Sequence, residues 1–126
     1  MKVNHIGVIT SDLSKGIQMY SRMGYIFAGD IVRDQVQNNY IAFMNAHSPP
    51  NIELITPMNE NSSVYNFKVG YHHICYEAEP GEDVITKFKE MKIGKIFTKP
   101  IIAPALDNRE VVFACLQNGT FVEFIL

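Results

Sequence analysis

The chain has 126 residues, 47% hydrophobic and 19% charged, with a net charge of -2 and a pI near 6.0. That length suits one domain whose core needs no crosslinks, and the slight acidity excludes a general nucleic-acid or anionic-membrane surface. No apolar run approaches the roughly 18 residues of a membrane span. Met1-Lys2-Val3-Asn4-His5 has no signal-peptide layout, and Cys75 and Cys115 form no C-x-x-C pair. A cytoplasmic protein is expected.

In chain order, Val3 to Thr10 has the β-branched content of a strand. Ser11 and Asp12 are good N-cap types before a helix whose apolar face is Leu13, Ile17 and Tyr20, and Gly24 ends it. Strands follow over about Tyr25 to Asp34, Gln37 to Asn45 and Asn51 to Pro57, with a Pro-rich turn holding His47 between the last two. Met58 to Val69 is polar and is expected to be a simple connector. Beyond it, Tyr71 to Ala78 is a strand, and Val84, Ile85, Phe88 and Met91 line a second helix. Strands around Lys95 to Lys99, Arg109 to Leu116 and Thr120 to Ile125 complete the chain. Tyr20, Phe27, Phe43, Phe88, Phe97 and Phe113 are expected in the core.

The chain also repeats itself. At one fixed offset His5-Ile6 falls on His73-Ile74, Ile17 on Ile85, Tyr20 on Phe88 and Met23 on Met91. With a slightly longer loop, Ile52-Glu53-Leu54-Ile55 falls on Val122-Glu123-Phe124-Ile125. The halves run from about 2 to 57 and from about 70 to 126. The pattern predicts one α+β domain, two tandem βαβββ modules forming a curved mixed sheet.

Strand side chains alternate faces, so His5, Glu53, His73 and Glu123 each oppose large hydrophobes that pack on the helices. A lone glutamate on a strand usually faces solvent. Four polar residues at repeat-equivalent positions are harder to explain that way, and a carboxylate buried among hydrophobes needs a partner. A pseudo-two-fold axis would gather all four around one divalent cation in the cleft. Two imidazoles and two carboxylates suit nickel, cobalt or zinc and leave two octahedral positions for substrate, as in a catalytic site. His72 points to the other face and is expected to be structural. Cys75 shares a face with His73 but would crowd the metal. Arg33 and Arg109 are candidates to grip a substrate carboxylate.

His5-Ile6-Gly7-Val8, Glu53-Leu54-Ile55-Thr56-Pro57, Gly70-Tyr71-His72-His73-Ile74 and Phe121-Val122-Glu123-Phe124 resemble the vicinal oxygen chelate superfamily over almost the whole chain. Within it the sequence is most similar to short bacterial glyoxalase I, then to methylmalonyl-CoA epimerase. The resemblance implies His5, Glu53, His73 and Glu123 as metal ligands. It implies a homodimer, and proton transfer through an enediolate of an α-ketoaldehyde–thiol hemithioacetal. Catalysis would fall to the two glutamates, Glu123 more than Glu53. Drug-sequestering members lack the ligands that are present here. Extradiol dioxygenases would want two histidines and a single carboxylate. The epimerase's extra carboxylate would fall near Tyr40, where there is no acid, and its Gly-rich loop is replaced by Ala103-Pro104-Ala105-Leu106-Asp107-Asn108.

Overall fold

In the computed structural model, which describes residues 1–126, the first half runs β1 (Lys2–Ile9), α1 (Leu13–Arg22), β2 (Ile26–Asp34), β3 (Asn39–Asn45) and β4 (Asn51–Pro57). The second half runs β5 (Gly70–Glu77), α2 (Val84–Met91), β6 (Gly94–Ile96), β7 (Ile101–Ala103), β8 (Arg109–Leu116) and β9 (Phe121–Ile125). Both helices start the same way. Asp12 accepts the Lys15 N–H at 3.0 Å, and Asp83 accepts the Thr86 N–H at 3.0 Å, each meeting one of the donors a first turn leaves open. Gly24, at φ 99°, follows the last turn of α1 and lets the chain turn back into β2.

The strands form one sheet in the order β2-β3-β4-β1-β5-β9-β8-β6, with β7 also paired to β8. β1 is parallel to β4 and β5 parallel to β9, while β1 and β5 join the halves antiparallel. This order is what a two-fold relation between halves requires. The sheet curls until β2 meets the 3-10 turn Pro104–Leu106 of the other half.

Helices cover the convex face. Leu13, Ile17 and Tyr20 of α1 pack with Ile6 and Val8 on Ala42, Met44, Ile52 and Leu54. Val84 and Phe88 of α2 pack on Val112, Ala114, Val122 and Phe124. Because the pleat alternates, His5, Glu53, His73 and Glu123 are turned to the concave face, and all four are buried.

Two expectations need correction. The strand expected over 95–99 is instead a split pair, β6 and β7. Pro100 has no N–H to give to the ladder, and across the gap the Phe113 N–H donates to Thr98 Oγ1 at 2.9 Å. Phe97 is consequently 56% exposed and is not a core residue.

The connector is also more than a polar link. Val64 is buried against Ile9 and Ile55. Asn39 accepts from Ser62 Oγ at 2.5 Å and donates to Ser63 Oγ at 3.1 Å. Residues 58–69 are thereby fastened across the cleft. Val64→Ala should lower stability by about 1.5–3 kcal/mol, the scale of a fully buried valine, and the urea midpoint would report it. A loosely attached connector would give under about 0.5 kcal/mol.

Candidate metal centre

The register of the sheet builds the site. Gly7 of β1 lies opposite His73 of β5 and beside Glu53 of β4; Cys75 of β5 lies opposite His5 and beside Glu123 of β9. A Cβ at Gly7 would stand 2.2 Å from His73 Cε1. Glycine is therefore needed there for the imidazole to lie across the strand. The equivalent Cys75 is buried, and burial together with Glu123 and Glu53 pushes its thiol pKa up. It stays protonated and outside the ligand set.

The ligating atoms of His5, Glu53, His73 and Glu123 all lie within 4.8 Å of one another. The two Nε2 atoms are 3.3 Å apart. Glu123 Oε2 is 3.2 Å from His5 Nε2 and 3.0 Å from His73 Nε2, and the Glu53 oxygens are at 3.7 and 3.8 Å. Ligand bonds of about 2.1 Å imply neighbouring ligands about 3 Å apart and opposite ones about 4 Å apart. The cluster has those spacings. Although it is this close to both imidazoles, Glu123 Oε2 is buried with no hydrogen-bond partner. An orphaned carboxylate oxygen beside two imidazole nitrogens fits a cation.

The outer nitrogens explain why the inner ones converge. His5 Nδ1 meets Asn4 Oδ1 at 2.8 Å, and His73 Nδ1 meets His72 Nδ1 at 2.8 Å. Asn4 and His72 are repeat-equivalent, each one residue before its ligand. Burial and the neighbouring His73 hold His72 down to about 4, so at neutral pH it is uncharged and its Nδ1 can accept the His73 proton. With Nδ1–H given outward on both rings, both Nε2 lone pairs face the site. His72, expected to be structural, thus supports a ligand. Asn4 was not anticipated; its signal was its place in the repeat.

Charge in the cluster is tightly balanced. Burial works against the Glu123 carboxylate, yet the two imidazoles, when protonated, hold it down to about 2. Burial raises the Glu53 pKa. His5 is raised above its usual value despite burial, chiefly by Glu53 and then Glu123.

Beside the cluster is a cavity of about 20 Å³, walled in part by Asp34, Glu53, His73 and Glu123. It shares Gln37, His72 and Phe113 with a second cavity of about 300 Å³. Asp34, also missed in the sequence, is fully buried and accepts the Val36 and Gln37 N–H groups at 2.9 and 3.0 Å. Neither arginine expected to grip substrate lines either cavity. Arg33 is exposed on β2. Arg109 is held by Glu77 Oε1 at 2.6 Å and by the Leu106 carbonyl at 3.2 Å. Since Asn4 donates to Glu77 Oε2 at 2.9 Å, Arg109 anchors the support of His5. His47 is exposed, as expected.

Dialysed protein should retain about one divalent cation per chain by elemental analysis, and His5→Ala or His73→Ala should lose it. Removing the His72 acceptor by His72→Leu should weaken cation affinity about 10–100-fold in calorimetric titration. His72→Asn, which installs the residue that the other half uses, should restore most of it. Equal affinity in all three proteins would remove His72 from the ligand's support.

Comparison with known proteins agrees with this geometry. The profile of the Glyoxalase/Bleomycin resistance protein/Dioxygenase superfamily matches residues 4–113, which include His5, Glu53 and His73. A search of curated proteins finds no match. Among solved structures, a hypothetical protein from Bacillus halodurans C-125 is similar at 24% identity and TM-score 0.84, over 98% of this chain and 92% of its own. Methylmalonyl-CoA epimerase from Mycobacterium tuberculosis is similar at 17% identity and TM-score 0.84, over 98% of this chain and 86% of its own. A variant of the Streptomyces coelicolor methylmalonyl-CoA epimerase, in complex with 2-nitronate-propionyl-CoA, is similar at 16% identity and TM-score 0.82, over 99% of this chain and 96% of its own. At these identities the structures speak for the fold alone. The matched profile and the duplicated βαβββ sheet together establish that this chain belongs to the Glyoxalase/Bleomycin resistance protein/Dioxygenase superfamily.

Proposed function

We propose that the protein is a metal-dependent isomerase of glyoxalase I type (a lactoylglutathione lyase-like activity), acting on the hemithioacetal of an α-ketoaldehyde such as methylglyoxal. The observation that carries this reading is the buried His5–Glu53–His73–Glu123 cluster, with its unpartnered Glu123 oxygen beside a cavity. His5, His73, Glu53 and Glu123 would hold one divalent cation, with nickel, cobalt and zinc the candidates for this donor set. When bound, the cation supplies Lewis-acid stabilisation of negative charge on two adjacent substrate oxygens.

The remaining work belongs to side chains. In our reading Glu123 takes the proton from the hydroxyl-bearing carbon and returns it to the adjacent carbonyl carbon, while the hydroxyl proton passes to that carbonyl's oxygen, so the first carbon becomes the thioester carbonyl and the second the hydroxyl-bearing centre. One feature favours Glu123 over Glu53: its cross-strand neighbour Phe113 walls the larger cavity, whereas Phe43, the neighbour of Glu53, does not. The enclosing walls keep bulk water from the carbanionic carbon.

A second reading, an acyl-CoA epimerase, is supported by the structural neighbours. It requires the same proton abstraction but a second base on the opposite face. Tyr40 offers no carboxylate for that role and lines neither cavity. We also propose a homodimer, the commonest symmetric assembly; exposed Met19, Met23 and Ile26 by the free edge of β2 give it an apolar surface to cover.

Glu123→Gln should lower turnover of hemithioacetals at least about 10²-fold while metal content falls less, because the amide keeps an oxygen but loses its basicity. Glu53→Gln should be milder. A larger turnover loss in Glu53→Gln at equal metal occupancy would reverse the roles. Turnover of methylmalonyl-CoA but of no hemithioacetal would replace the lyase by the epimerase. Light scattering at micromolar concentration should give twice the chain mass, and a monomer would refute the dimer.

A further inference from the structure

The larger cavity, about 300 Å³, adjoins the small one beside the metal cluster and is at the small end of ligand sites. Four phenylalanines, Phe67, Phe97, Phe113 and Phe121, supply most of its apolar wall, with no lysine, arginine, aspartate or glutamate among its lining residues. The rings already meet each other at aromatic-packing distances: Phe97 with Phe121 at 5.8 Å and Phe67 with Phe121 at 5.3 Å, both edge to face.

Its polar groups are largely committed elsewhere. Gln37 donates to Asp34 and accepts from Ser63. Thr98 Oγ1 accepts from the Phe113 N–H. The adjoining small cavity adds the acids Asp34, Glu53 and Glu123 and the imidazole of His73, and no lysine or arginine. One cation, Lys68, stands in a neighbouring groove beyond Phe67, His72 and Phe121.

A carboxylate or phosphate in the larger cavity would lose hydration and meet no cationic side chain in its wall. A flat uncharged ring would meet faces and edges suited to it. From this we infer that the substrate body accompanying the two chelating oxygens is uncharged and aromatic, a monocyclic arene lying between Phe67, Phe97, Phe113 and Phe121. The inference rests on the metal-centre reading above for where the chelating oxygens go. It names the substrate class as aryl α-oxo compounds, with any charged portion of a thiol outside the cavity.

The test uses binding, with turnover as a separate readout. On metal-loaded protein, benzohydroxamic acid and acetohydroxamic acid offer the same pair of oxygens and differ by the ring. Calorimetry should give the aryl compound at least about 10-fold tighter Kd. A carboxylate at the para position should remove that gain, and Phe97→Ala or Phe121→Ala should shrink it. Phe97 is more than half exposed, so its replacement spares the core. On metal-free protein, saturation-transfer NMR should show benzyl alcohol contacting the aromatic wall and benzoate failing to.

Equal binding of the two hydroxamates would overturn the inference. So would a para-carboxylate compound that binds as tightly as the parent, including one whose affinity depends on Lys68. The two readings fail separately. Aryl selectivity in binding with no hemithioacetal turnover defeats the lyase and leaves the pocket assignment standing. Efficient turnover of methylglyoxal hemithioacetal with no preference for phenylglyoxal defeats the pocket assignment alone.

Discussion

Two imidazole nitrogens and one carboxylate oxygen meet within 3.3 Å in a cleft where all three are buried. With the histidine protons turned outward, these are lone pairs facing one another in a poor dielectric, an arrangement that costs free energy. It holds together only if something positive lies among them, either protons on the imidazoles or a cation. The rest of the structure follows from presenting those atoms. β1 and β5 must be antiparallel neighbours so that both histidines reach one point, and Gly7 must lack a side chain so that the His73 ring has room. The outer nitrogens need acceptors, which Asn4 and His72 supply.

Much of this was legible in the sequence because repetition and alternation are both one-dimensional signals. The internal repeat placed His5 with His73 and Glu53 with Glu123, and the period of two put those residues opposite the helix-packing side chains. The helix starts at Asp12 and Asp83 follow local chemistry that a sequence carries directly. What could not be read was set by three-dimensional neighbours. His72 looked structural because alternation turns it from the His73 face. In fact its ring folds back at the rim of the cleft, stacked on Phe121, and reaches Nδ1 of the adjacent residue. Arg109 looked like a substrate grip because a charge on a strand near a site suggests one. Its partner Glu77 is 32 residues away and belongs to no motif. The cavity was invisible for the same reason: its phenylalanines come from the connector, the β6–β7 break, β8 and β9.

The superfamily fold by itself selects no chemistry, since the same sheet carries isomerases, oxygenases and binding proteins. Selection must come from the donor set and from the space beside it. Two carboxylates with two imidazoles favour a cation that acts by charge, and in the proposed reaction the buried Glu123 would be the base next to it. Under the same proposal the aromatic cavity would limit what can be brought to that base. Charge handling and substrate choice would then sit on different residues, and one could be altered without the other.

The duplication also carries a consequence for the two glutamates. Their positions are related by a pseudo-two-fold axis, yet Glu123 Oε2 stands 3.2 and 3.0 Å from the two Nε2 atoms and the Glu53 oxygens 3.7 and 3.8 Å. The chain cannot be symmetric beyond that, because there is only one connector between the halves. Residues 58–69 cross once: Val64 packs on Ile9 and Ile55, Ser62 and Ser63 bond Asn39 of the first half, and Phe67 joins Phe97, Phe113 and Phe121 in the wall of the larger cavity. Under the proposed function, a substrate body in that cavity would reach the centre past Phe113, the cross-strand neighbour of Glu123. The break between β6 and β7 at Pro100 sharpens the difference: the Phe97 N–H still donates to the Phe113 carbonyl, Thr98 Oγ1 takes the Phe113 N–H, and both side chains become wall. Under the proposed function, Glu123 would then exchange protons with substrate and Glu53 would hold charge. The asymmetry between the halves thus lies both in the covering segments and in the spacing of the two carboxylates from the imidazoles.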